Sequence, residues 1–169
     1  MPTPLVIHYA TMTGNSETLA MSATNHALNE GWNATLRNLS ECTPNDLGGS
    51  GDGSGAENAE RYALFVVSTW GDGEPPDDAL PFFNELESDS APNLAGLRYA
   101  VLGLGDSSYE QYNACARKLD ERLAVLGGQR VHERIEADLD YEDTFNEWVR
   151  RVFPLLDGLR KAHGGASAP

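Results

Sequence analysis

The chain has 169 residues, 40% of them hydrophobic, which suits one globular domain with a core of its own. Its 26 acidic and 12 basic residues leave a formal charge of −14, which excludes partners that need a basic footprint, nucleic acid and anionic membranes among them. No apolar run approaches the roughly 20 residues of a membrane span, and the opening MPTPLVIHYA has neither a basic start nor a cleavage motif, so the expected place of work is the cytoplasm.

Strand and helix patterns alternate along the chain. Residues 5–9 read as an apolar strand. A helix follows over about 16–29, with Leu19, Ala20, Ala23, Ala27 and Leu28 on one stripe and Gly31 as its stop. Residues 34–39 fit a more exposed strand, and 42–47 fit one short helical turn. The segment GGSGDGSGAEN, residues 48–58, has linker composition and reads as a flexible surface loop. YALFVVST, residues 62–69, is almost continuously apolar, the mark of a strand buried on both faces of a parallel sheet. Next come a helix over about 77–86, an apolar strand over 98–104, and a helix over about 112–126 closed by Gly127 and Gly128. A fifth strand begins near 130–132 and continues past Ile135. The last helix runs over about 142–160, with Phe145, Trp148, Val149, Val152, Phe153 and Leu156 facing in and a kink or break expected at Pro154. Residues 163–169 read as a disordered tail, which leaves 1–162 as a single domain.

Five strands alternating with helices predict a doubly wound parallel α/β sheet. Ligands of such sheets bind at the carboxyl ends of the strands, so the loops after the first, third and fourth strands carry the function. Cys42 and Cys115 stand far apart without a CxxC, and the four histidines lack ligand spacing, so no metal or redox-thiol site is expected.

The first loop, TMTGNS over residues 11–16, opens a helix whose leading N–H groups lack internal partners. Such a terminus attracts anions, Gly14 allows close approach, and Thr11, Thr13 and Ser16 add hydroxyls: a phosphate cradle without a cation. It lacks the lysine of a Walker loop and the three glycines of a dinucleotide loop. A plain capping box with Asn15 or Ser16 as N-cap is the structural alternative. The second loop, STWGDGEPPDD over 68–78, places Trp70 at the mouth of the sheet. The third, GLGDSSYEQYN over 103–113, supplies Tyr109 and Asp106. A phosphate cradle and two aromatics on one sheet edge predict a flat, phosphorylated ring system, and flavin mononucleotide (FMN) fits.

TMTGNSE, STWGDGEPPDD and GLGDSSYEQYN, in this order, resemble the flavodoxin family, and within it the FMN-binding domain of sulfite reductase flavoprotein and cytochrome P450 reductase-type diflavin enzymes. LGGQRVHERIEADLDYEDTFNEW resembles the same branch. The resemblance implies a flavodoxin-like three-layer α/β/α sandwich with a five-stranded parallel sheet in order 2-1-3-4-5. It implies that Thr11, Met12, Thr13, Gly14, Asn15 and Ser16 wrap the phosphate. Ser68, Thr69, Trp70 and Gly71 would line one side of the cofactor, and Leu104, Gly105, Asp106, Tyr109, Gln111 and Asn113 the other, with Tyr109 stacked on the ring. Asp138 matches an acidic position near the flavin. Met12 departs from the usual Thr or Gln, which leaves backbone contacts to compensate. No nicotinamide site is visible, so no NAD(P)H oxidation by this chain alone is expected.

The flavin would carry the chemistry and no residue would be catalytic in its own right. A peptide flip at Gly71 is expected to accompany one-electron reduction. The acids Asp72, Glu74, Asp77, Asp78, Asp106 and Glu110 would disfavour added negative charge on the ring. The expected role is a monomeric electron shuttle that takes electrons from a separate NAD(P)H-dependent flavodoxin reductase and delivers them to a basic-surfaced redox acceptor protein. The alternative is a detached FMN-binding subunit of a split diflavin-type reductase. A flavin quinone reductase lacks its nicotinamide pocket here, and a phospho-receiver domain lacks its acidic pair after the first strand. The acidity suits docking, or a source that makes acidic proteins generally, as salt-adapted organisms do; two lysines against ten arginines point to such a bias.

Overall fold

The computed structural model describes residues 3–11, 14–47, 60–69, 73, 75–106, 108, 113–138 and 140–164. The expected loop at 48–58 lies outside the described residues, as do Met12, Thr13, Trp70, Gly71, Tyr109 and Gln111.

The elements run β1 (Pro4–Ala10), α1 (Asn15–Asn29), β2 (Asn33–Asn38), β3 (Arg61–Ser68), α2 (Leu80–Leu86), β4 (Leu97–Leu104), α3 (Ala114–Val125), β5 (Gln129–Arg130), β6 (Ile135–Ala137) and α4 (Tyr141–Gly164). All strand pairs are parallel, in the order β2-β1-β3-β4, with β5 and β6 sharing the place beside β4. This is the expected 2-1-3-4-5 arrangement.

β3 and β4 are central because both of their faces are apolar. Leu64 and Val66 of β3 pack with Leu102 of β4 into a core that takes in Leu19, Ala20, Ala23 and Ala27 of α1 and Trp148, Val152, Phe153 and Leu156 of α4. Phe65 and Val67, with Tyr99 and Val101, join the opposite core, which holds Phe82, Phe83 and Leu86 of α2 and Cys115, Leu119 and Leu123 of α3. The period-2 alternation of the strands thus sends successive residues to two helical layers. The alanines of α1 let that helix lie close on the sheet.

The registers fix where the carboxyl ends fall. Ala10 pairs with Val67, Ser68 with Leu104, and Leu104 with Ala137. The loops after β1, β3, β4 and β6 therefore leave the sheet along one edge.

Four expectations are corrected. The fifth strand is two short pieces, interrupted over residues 131–134. α4 runs unbroken through Pro154. Pro154 and Arg150 are both exposed, so water can satisfy the Arg150 carbonyl that Pro154 cannot serve, while buried Phe153 and Leu156 hold both sides of the proline to the sheet. α4 also continues to Gly164, past its expected end. Leu28 is 51% exposed rather than in the stripe, because the alanines and Trp32 already close that face.

Candidate functional site

The first loop is a compact local structure. Gly14 is the N-cap of α1, with φ 92° and ψ −6°, a left-handed conformation that costs a residue bearing a Cβ about 1–2 kcal/mol. A Cβ there would meet nothing within 4 Å, so the backbone angle, not crowding, calls for glycine. The Gly14 N–H donates to Thr11 Oγ1 at 2.8 Å. The N–H and hydroxyl of Thr18 return to the Gly14 carbonyl at 3.0 and 3.1 Å. The N-cap residue is Gly14, which has no side chain, so among the described residues the capping-box alternative with Asn15 or Ser16 as N-cap is not what forms. An uncapped helix N-terminus directs N–H groups and its dipole at whatever lies beyond it.

Two side chains of the first turn have partners of their own. Glu17, the one acid in the first turn, accepts a hydrogen bond from the Tyr9 hydroxyl at 3.2 Å. Burial, and next the charge of Glu17, raise the Tyr9 pKa. Ser16 is fully buried, and its hydroxyl lies 2.5 Å from that of Ser68. Its side chain ties the first loop to the end of β3 rather than standing free.

The opposite side is held by longer connections. Thr69 donates its N–H to the Leu104 carbonyl at 2.9 Å, and its hydroxyl accepts the Cys115 N–H at 3.0 Å. Burial pushes the Cys115 thiol up to about 12, so it keeps its proton and is no nucleophile. The Leu104 side chain is core, which leaves its backbone for the site. The Gly105 N–H donates to the Ala137 carbonyl at 3.0 Å, and Asn113 Nδ2 donates to the same oxygen at 3.2 Å. Asn113 is fully buried with φ 58°, a region Asn tolerates better than most residues. A Cβ on Gly103 would collide with Asn113 Oδ1 and stand 2.5 Å from Ala116 Cβ. Asp106 accepts from the Ser108 N–H at 2.9 Å and the Ser108 hydroxyl at 2.6 Å. Asp138, half-buried, follows β6 directly.

The described part of the predicted set, Thr11, Gly14, Asn15, Ser16, Ser68, Thr69, Leu104, Gly105, Asp106 and Asn113, therefore lies at or beside the carboxyl edge. None of the three loops contains Lys or Arg, so amides and hydroxyls are their donors. Sequence reasoning missed the Ala137 carbonyl that serves Gly105 and Asn113. It is a backbone group in a three-residue strand, and no residue type marks it. Among the described residues, no helix is long and apolar enough to cross a membrane.

The flavodoxin family profile matches residues 7–148 of the chain. The protein belongs to the flavodoxin family. As a flavodoxin-like domain it is an FMN-binding electron-transfer unit. The chain is 39% identical over 165 residues to the sulfite reductase (NADPH) flavoprotein alpha-component of Bacillus subtilis, an alignment covering 98% of this chain and 25% of that protein. It is 38% identical over 152 residues to the protein of the same name from Vibrio cholerae, covering 90% and 23%. The chain thus spans about a quarter of the length of the curated relatives it matches. The crystal structure of oxidised flavodoxin 1 from Bacillus cereus has the same fold, with a TM-score of 0.73 at 23% identity over 92% of this chain and 98% of that one.

Proposed function

We propose that this flavodoxin-family chain holds FMN across the carboxyl edge of its sheet and passes single electrons between separate proteins. The phosphate would lie at the N-terminus of α1, within the turn of Thr11, Met12, Thr13, Gly14, Asn15 and Ser16. The observation that carries this reading is the start of α1 at Gly14, an N-cap without a side chain at φ 92°, at the edge where β3 and β4 also end. Its donor set of amides and hydroxyls without a cation fits a phosphate held by a helix terminus. The ring would lie between Trp70 and Tyr109, walled by Ser68, Thr69 and Gly71 on one side and by Leu104, Gly105, Asp106, Gln111 and Asn113 on the other.

FMN, when bound, supplies the capacity to exchange one electron at a time. The chain binds and orients it, and the carboxylates of the second and third loops disfavour additional negative charge beside it. The partners of this reading are an NAD(P)H-dependent reductase and an acceptor with a basic docking surface, met in the cytoplasm by a monomeric carrier. A second reading is favoured by the identity to the sulfite reductase flavoproteins: an FMN module that works in a stable complex with reductase partners. Size-exclusion chromatography with such a partner separates the two. A complex of fixed stoichiometry supports the module, and transient, salt-sensitive association supports the carrier.

The primary test is an absorption spectrum of the protein with FMN, followed through stepwise photoreduction. Flavin uptake with two resolved one-electron stages is expected. Absence of uptake would sink the site, and reduction in a single two-electron stage would sink the carrier.

A further inference from the structure

Where β5 gives way to β6, two arginines, Arg130 at the end of β5 and Arg134 at the end of the break, reach the same carboxylate on α3. Arg130 Nε donates to Asp120 Oδ1 at 2.8 Å, and Arg134 Nη1 donates to Asp120 Oδ2 at 2.7 Å. Asp120 is 3% exposed, so its carboxylate oxygens meet these guanidinium groups in place of water. Arg134 uses a second edge of its guanidinium as well: Nε donates to Glu136 Oε2 at 2.8 Å. One planar fork thereby joins α3 to β6, which a point-charge ammonium could not do in the same geometry.

Glu136 is the middle residue of β6. The Ala137 side chain belongs to the core on the α1 and α4 face, so Glu136 turns toward the layer of α3. Ala137 is also the residue whose carbonyl holds the Gly105 N–H and Asn113 Nδ2. α3 and β6 are therefore joined twice: at the start of the helix through Asn113 and Ala137, and seven residues on through Asp120, Arg134 and Glu136.

We propose that Asp120 and Arg134 are positioning residues for the ring-side wall of the FMN site, setting the level of β6 so that the Ala137 carbonyl keeps Gly105 and Asn113 in place. The inference rests on the FMN reading above. Arg130 is its internal control. It shares the Asp120 carboxylate, but it sits on β5, which pairs with Arg98 and Tyr99 at the far end of β4 from the site.

The test compares Arg134→Gln, Arg130→Gln and Asp120→Asn, each shown to be folded, by amide hydrogen exchange without FMN and by FMN titration. In Arg134→Gln, exchange at Gly105 should quicken about tenfold relative to the amides of β1, and FMN affinity should fall by a similar factor. Asp120→Asn should behave alike. Arg130→Gln should lower the melting temperature yet leave relative Gly105 exchange and FMN affinity within about twofold of wild type. Equal effects of the two arginine variants would overturn the proposal, as would quickened exchange with unchanged affinity. If Asp120→Asn fails to fold, the arginine pair decides alone. A wild-type protein that takes up no FMN sinks the FMN reading, and the exchange contrast then shows separately whether the clamp holds Gly105.

Discussion

Gly14 finds its partners within four residues, at Thr11 and Thr18, whereas Asn113 finds its partner 24 residues on, at Ala137. The phosphate side of the proposed site is a helix start whose turn one short stretch of chain makes, with the Ser16–Ser68 bridge as its long-range tie. The ring side exists only once β4, β6 and α3 have come together. Gly105 reaches β6, Thr69 reaches α3, and Gly103 leaves the space that Asn113 fills. Damage to the sheet edge should therefore reach the ring wall first, and damage to the first loop should stay local.

The largest expected effect strikes both sides together and gives the baseline for that contrast. His8 lies buried under the sheet, stacked on Phe65 at 4.6 Å, with Nδ1 3.3 Å from the Leu64 carbonyl. Burial outweighs the help of that carbonyl and lowers its pKa from 6.5 to about 4. Between those values the unfolded chain takes up a proton that the native one does not. The native state should thus lose about 3 kcal/mol as pH falls from 6.5 to 4. Denaturant midpoints across this range should show the fall, and His8→Asn should flatten it.

Gly103→Ala comes next. Its Cβ meets Asn113 and Ala116 inside the packed ring wall, at a cost of about 2 kcal/mol. It should weaken the binding of FMN and of riboflavin, which lacks the phosphate, by similar factors in fluorescence titrations. Gly14→Ala should cost about 1 kcal/mol through its backbone angle alone. It should weaken FMN while leaving riboflavin unchanged, and equal losses for both ligands would erase the distinction between the two sides. The smallest effect should come from Ser68→Ala, which removes the bridge to Ser16 for about 1 kcal/mol or less in thermal melts.

How much of this was legible in the sequence follows the same division. The apolar run of β3 is readable because both of its faces are buried, and the stop of α3 because Gly127 and Gly128 mark it. The first loop is readable because its helix start and glycine are neighbours in the chain. The break in the fifth strand is not: Arg134, at its end, has its partner Asp120 on a helix 14 residues earlier, which no local pattern marks. The inward turn of Ser16 is equally hidden, because its partner Ser68 is 52 residues away. The unbroken α4 depends on Pro154 facing water, which only packing decides. Trp70 and Tyr109, read from the sequence as the ring's two faces, lie outside the described residues.

The most direct measurement is the affinity of the wild-type protein for FMN against riboflavin, by titration under the same conditions. The account predicts that FMN binds at least about a hundredfold more tightly, since the start of α1 would engage only the phosphate. Equal affinities, or a preference for riboflavin, would contradict it.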